Sequence, residues 1–124
     1  MKKIVGWVFA LVSLVSLLPL VADTLPARHE VRLVAREMAF FVDGRATPNP
    51  TIVVPAGSKV RVVLRNDDPG MTHDFAVKTL DVAIRPLKTA AEGEVEFRTP
   101  NRPGRYEYVC NPHARMMYGM LIVQ

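Results

Sequence analysis

Hydrophobic and polar residues alternate with a period of two along much of the chain beyond residue 30, the pattern of strands with one buried face. Val31, Leu33 and Ala35 fall on one side of the first such segment, with Arg32 and Arg36 on the other. Residues 38–42 continue as extended chain or a bulge until Asp43-Gly44 turns it. Pro48 and Pro50 flank an irregular approach to a short apolar strand at 51–54, and Pro55-Ala56-Gly57 makes the next turn. Residues 58–65 alternate most cleanly: Val60, Val62 and Leu64 face inward, Lys59, Arg61 and Arg65 outward. The turn formers Asn66-Asp67-Asp68-Pro69-Gly70 deliver the chain to His73, and Phe75 and Val77 extend a strand from it. Residues 78–91 form a longer excursion of weak pattern containing Pro86. Val95 and Phe97 then alternate against Glu94, Glu96 and Arg98, and residues 100–104 turn the chain back. Tyr106, Tyr108 and Cys110 share one face of the next strand, so Cys110 points inward from its end; residues 119–124 form the last strand. No segment of useful length has a helical period, and the ten prolines lie mostly between the runs. The pattern predicts an all-β fold, a Greek-key β-sandwich of about seven to eight strands spanning residues 31–124 as one domain.

The N-terminus follows a different rule. Lys2-Lys3 precedes an apolar run over residues 4–21, the charged-then-apolar layout of an export signal. Leu20-Val21-Ala22 puts a bulky residue where signal cleavage prefers a small one, and a run of this length meets the minimum for a membrane span. Residues 1–22 are therefore read as a signal peptide or an N-terminal membrane anchor, with 23–30 as a linker. The expected location is the periplasm, either free or anchored to the membrane facing it. Without residues 1–22 the chain has 14 basic and 12 acidic residues, so the high isoelectric point gives no reason to expect nucleic acid. A basic bias persists locally, where Arg98, Arg102, Arg105 and Arg115 face the single acid Glu107.

Candidate chemistry is concentrated in one place. Residues 110–117 hold the only cysteine, Cys110, together with His113, Met116 and Met117. A lone thiol in an exported chain has no internal disulfide partner, and metal binding removes that liability. Thiolate, imidazole and thioether together favour copper, and two His with one Cys and a weak axial Met describe a blue-copper site. Zinc completes its tetrahedron with Cys, His or carboxylate rather than thioether. A second His must come from elsewhere: His73, at a turn entering an apolar strand, is better placed than His29 in its charged run. A Cys-His nucleophile would want a third orienting group that the sequence does not offer. One Cys is too few for a binuclear copper-sulfur centre, and three His are too few for a multicopper oxidase.

These motifs resemble the cupredoxins of the plastocyanin, amicyanin and azurin type. The likeness rests on an isolated His before Asp-Phe, Gly-x-Tyr-x-Tyr-x-Cys at 104–110, Cys-x-x-His, and Met-x-Gly-x-Leu-x-Val at 117–123. It implies a single copper ion held by His73, Cys110, His113 and Met117. Met116 would give the Cys-x-x-His-x-x-Met spacing of amicyanins; Met117 is preferred because Gly119, Leu121 and Val123 reproduce the phase in which the last strand leaves the site. The resemblance also implies that the backbone N–H of Asp74 reaches the Cys110 sulfur, while Pro112 has no N–H to offer a second bond. Asp74 departs from the Asn common at that place in the relatives, and a carboxylate there favours Cu(II).

The function implied is a small exported one-electron carrier, monomeric and not an enzyme. Redox partners would dock briefly around the His113 edge, among Met71, Pro112, Ala114 and one of Met116 or Met117. Arg102, Arg105 and Arg115 would steer an acidic partner. The competing function is copper delivery or tolerance, with Met38, Met71, Met116 and Met120 as auxiliary Cu(I) donors.

Overall fold

The computed structural model describes residues 28–124; the signal or anchor segment, and the linker up to residue 27, lie outside the described residues. The described residues form nine strands: β1 (His29–Arg36), β2 (Ala39–Val42), β3 (Ile52–Val54), β4 (Lys59–Asn66), β5 (His73–Val77), β6 (Val82–Leu87), β7 (Glu92–Arg98), β8 (Gly104–Val109) and β9 (Tyr118–Val123). Two single-turn 3-10 segments, Lys78–Leu80 and Asn111–His113, are the only helical elements among them. One sheet has the order β2-β1-β4-β7 and the other β3-β9-β8-β5-β6, so the chain crosses repeatedly between layers, as expected for a Greek-key sandwich.

The strand count exceeds the seven to eight expected. β6 is an edge strand in which Pro86 costs no ladder hydrogen bond, and Val82 and Ile84 are buried on its inner side. β2 shows no alternation because both of its faces are covered. Phe40 enters the core, while Phe41 lies under the Arg36 guanidinium, 3.8 Å from its ring centre. β1 begins at His29, so the last two residues of the segment read as linker are strand, paired in parallel with Val60 and Arg61 of β4.

The core fills the space between the sheets with the alternating inward residues of β1, β4 and β7 and of β5, β8 and β9. At its centre Phe75 stacks on Tyr108 at 5.5 Å, and Phe40 meets both rings edge-on. Tyr108 is completely buried and donates its hydroxyl hydrogen to the Pro50 carbonyl, so the β2–β3 connection is tied to β8. The ring reaches that carbonyl by lying across its cross-strand partner Gly119, where a Cβ would collide with the Tyr108 hydroxyl and ring.

Gly119→Ala is therefore expected to force β9 or the Tyr108 ring out of place. A loss of about 1–3 kcal/mol, the usual cost of overpacking, should appear as a lower denaturant midpoint. An unchanged midpoint would show that the ring has room to move.

Candidate metal centre

The site grows out of one strand pairing. β5 and β8 run antiparallel and meet at Ala76↔Val109, which sets the beginning of β5 beside the end of β8. His73 opens β5 and Cys110 follows β8, so the two side chains reach the same end of the core, both with no exposed surface. The chain then makes a single 3-10 turn, with Pro112 inside it, and His113 N–H returns to the Cys110 carbonyl at 3.1 Å. The ring of His113 comes within 4.9 Å of the His73 ring, centre to centre.

Three donor atoms converge. Cys110 Sγ lies 3.7 Å from His73 Nδ1 and 3.6 Å from His113 Nδ1, and the three donors lie within 4.8 Å of one another. Metal–nitrogen bonds of about 2.05 Å and a metal–thiolate bond of about 2.3 Å, opened to a trigonal angle, place sulfur and nitrogen about 3.8 Å apart. The observed separations match that demand. His29, the poorer candidate by sequence, is exposed on β1 and joins no such group among the described residues.

The loop is closed by backbone pairing. Cys110 N–H donates to the Met117 carbonyl at 2.9 Å, one step beyond the cross-strand pair Val109↔Tyr118. Facing residues of an antiparallel pair point to the same side, so Met117 turns inward with Cys110 and is fully buried. Met116 turns outward and is 57% exposed. Sequence spacing alone left the two methionines in competition; burial separates them.

Polar contacts fix the site from three sides, and sequence reading found only one of them. Asp74 was singled out, and its N–H does point at Cys110 Sγ, at 3.5 Å. Its carboxylate also pins the loop, accepting from the Asn111 backbone N–H at 2.6 Å and from the Asn111 side chain at 3.0 Å. The second contact is Asn49, which bridges the layers by accepting from Phe40 N–H at 3.0 Å and donating to the Met116 carbonyl at 2.9 Å. The third is Asp68, whose carboxylate lies 2.7 Å from His73 Nε2. Asn66 and Thr89 hold the Asp68 segment: the Asn66 side chain donates to the Met71 and Leu87 carbonyls, and the Thr89 hydroxyl to the Asp68 carbonyl. Asp68 and Asn66 were visible in the sequence only as turn formers; Asn49 and Thr89 carried no signal.

Electrostatics follow from this setting. Burial pushes the Cys110 thiol up, and the Asp74 carboxylate adds to the effect against the N–H groups of Asp74 and His113. Burial also opposes ionisation of Asp68, but the Met38 N–H, the His73 ring and the Glu37 N–H outweigh it and hold Asp68 below the usual carboxylate range.

Comparison with known proteins agrees with this geometry. The family model of the cupredoxin-like domain matches residues 13–123. The chain is a cupredoxin. No curated protein matches it. Among solved structures, auracyanin A, a blue copper protein from the green thermophilic photosynthetic bacterium Chloroflexus aurantiacus, aligns with a TM-score of 0.63 and 18% identity. That alignment covers 79% of this cupredoxin and 100% of auracyanin A. Auracyanin B aligns with a TM-score of 0.61 and 26% identity over 82% of this chain and 92% of its own. The copper-containing nitrite reductase of Thermus scotoductus SA-01 also aligns, with a TM-score of 0.61 and 22% identity over 79% of this cupredoxin, but only 28% of the reductase chain is covered. The fold is thus shared by small copper proteins and by enzymes that contain it as one part. With two imidazoles, a thiolate and a thioether at the same end of the core, this cupredoxin fits one copper ion.

The raised Cys110 thiol sets a pH dependence for the metal-free protein. An unfolded thiol ionises near pH 8.5, whereas the folded one keeps its proton to higher pH. Above about pH 8.5 the unfolded state therefore binds fewer protons, and stability falls as pH rises; below it the contribution is fully present. The melting temperature of the metal-free protein should decline as pH rises above about 8.5, and Cys110→Ala should flatten the slope. Equal slopes in the two proteins would contradict the assignment.

Proposed function

We propose that this cupredoxin is an exported one-electron carrier with a blue copper site, and that His73, Cys110, His113 and Met117 are the ligands. The observation that carries the reading is the enclosure of the Cys110 thiol, fully buried between two imidazoles and backed by a buried methionine. Copper, when bound there, supplies the Cu(II)/Cu(I) couple. The residues supply the rest. His73 and His113 would offer Nδ1, Cys110 the thiolate, and Met117, in place of the outward-facing Met116, the thioether. The contacts of Asp74, Asn49 and Asp68 hold these donors in one arrangement for both oxidation states, which keeps reorganisation small.

The docking face is the rim around His113. The side chain is only partly covered, and Pro112, Ala114 and Met116 beside it are exposed and largely apolar, with Met71 half-buried close by in the chain's other site loop. This suits a small transient contact with a redox partner. Arg102, Arg105 and Arg115 are exposed and favour an acidic partner. The charged-then-apolar layout of residues 1–22 supports a periplasmic location, free or anchored to the membrane. The protein acts as a monomer, without catalytic groups of its own.

Copper delivery is the second reading, favoured by the exposed thioether of Met116 and the partly exposed Met38, Met71 and Met120. An enclosed thiolate serves exchange of electrons better than release of the ion. Fast electron self-exchange supports the carrier; tight Cu(I) capture with slow reoxidation and transfer to an apo-acceptor supports delivery.

Loading with Cu(II) should produce an intense visible thiolate-to-copper band that Cys110→Ala abolishes. Met117→Leu should perturb that band and the reduction potential, while Met116→Leu leaves both unchanged. A colourless Cu(II) complex would end the carrier reading. Asp74→Asn removes a negative charge hydrogen-bonded to the ligand loop through Asn111 and should raise the reduction potential; an unaltered potential would show that the carboxylate serves only to pin Asn111.

A further inference from the structure

Among the described residues, the carboxylate of Asp68 is the one charged group that meets a histidine of the site directly, and it is held there by a distant part of the chain. Asp68 is 8% exposed. Its Oδ1 accepts from Glu37 N–H at 2.6 Å, and its Oδ2 accepts from Met38 N–H at 3.1 Å while lying 2.7 Å from His73 Nε2. Glu37 and Met38 are the two residues of the hairpin turn between Arg36 and Ala39, and both are left-handed, at φ 52° and 59°. Two-residue hairpin turns of this hand normally use Asn-Gly or similar pairs. Here two residues with full side chains hold the shape, and their N–H groups converge on one carboxylate.

The consequence for His73 is chemical. A neutral imidazole has one N–H and one lone pair. Both oxygens of Asp68 already accept backbone N–H bonds, so the ring nitrogen facing them is the donor. The remaining lone pair is on Nδ1, the atom 3.7 Å from Cys110 Sγ.

We propose that Asp68 is a positioning residue of the copper centre, which locks His73 in the Nε2–H tautomer, aims Nδ1 at the ion and strengthens the imidazole as a donor to Cu(II). The inference rests on the ligand role proposed for His73. Through Asp68, the β1–β2 turn becomes part of the support of the site although it lies some thirty residues away in sequence. Partners of this kind typically change metal affinity about ten- to a hundred-fold. Because Cu(II) gains more than Cu(I) from a stronger nitrogen donor, Asp68 lowers the reduction potential. Each tenfold change in the ratio of the two affinities corresponds to about 59 mV for one electron.

The test has a copper-free and a copper-loaded arm. In the first, nitrogen-15 NMR of the metal-free protein should show His73 as the pure Nε2–H tautomer, with a slowly exchanging ring proton. An Nδ1–H tautomer, or a rapidly averaging mixture, would overturn the proposal whatever happens to the variants. In the second, Asp68→Asn keeps an acceptor but loses the charge: the tautomer should persist and the potential should rise. Asp68→Ala should lose both the tautomer preference and at least tenfold in Cu(II) affinity. If Asp68→Ala does not fold, Asp68→Asn still decides, since a potential equal to that of the parent protein overturns the donor-strengthening role. Failure of the carrier reading is seen separately, as absence of the thiolate band in the parent protein.

Discussion

The antiparallel pairing of β5 with β8 is the constraint on which the site depends. Only opposed strand directions bring the first residue of β5 and the residue after β8 to the same end of the core, and this is what makes His73 and Cys110 neighbours across 37 positions of sequence. A parallel arrangement of the same strands would set them a strand's length apart. The aromatic cluster of Phe40, Phe75 and Tyr108 holds that pairing in place from beneath, with two of its three rings contributed by β5 and β8. Stability and site geometry therefore draw on the same contacts.

The loop from Cys110 to Met117 is short, and short loops are stiff only if their polar groups are satisfied. This one is closed by the Cys110–Met117 backbone bond and by two bonds to the His113 carbonyl from the N–H groups of Met116 and Met117. Asp74 and Asn49 then fasten it to both sheets. A site so fastened has little freedom to follow a change in the ion's charge. That favours electron exchange over ligand rearrangement, and leaves the exposed surface to the rim of the site, at Ala114 and Met116 beside His113.

Two carboxylates lie close to the donors with different tasks. Asp74 is engaged with the loop and Asp68 with the imidazole. In the proposed carrier both would add negative charge near the ion and bias the centre toward its more highly charged state, whereas the arginines on the neighbouring surface would act at longer range, on the approach of a partner. Charge on the outer face of the first sheet is instead spent within the molecule, in ion pairs such as Lys59–Glu96 and Arg61–Glu30 between adjacent strands.

The sequence by itself determined the sandwich and named all four candidate donors, His73, Cys110, His113 and Met117. Period-two alternation encodes a half-buried strand locally, so β1, β4, β5, β7, β8 and β9 were legible, and the inward phase of Tyr106, Tyr108 and Cys110 followed from it. The ligand loop was legible because its chemistry is contiguous. β2 and β6 were not: one is covered on both faces, and the other sits at a sheet edge next to a proline. Asp68, Asn49 and Thr89 were hidden for a different reason. Each makes or depends on a hydrogen bond to a residue far along the chain, Asp68 through the Glu37 and Met38 N–H groups that hold it beside His73, and no local pattern records where such a bond will land. Met117 was preferred to Met116 already from the phase of the last strand; what the closed fold added is its burial, set by the β8–β9 pairing, against the exposed Met116. Periodicity and composition are properties of neighbouring residues; the placement of a buried polar partner is a property of the closed fold.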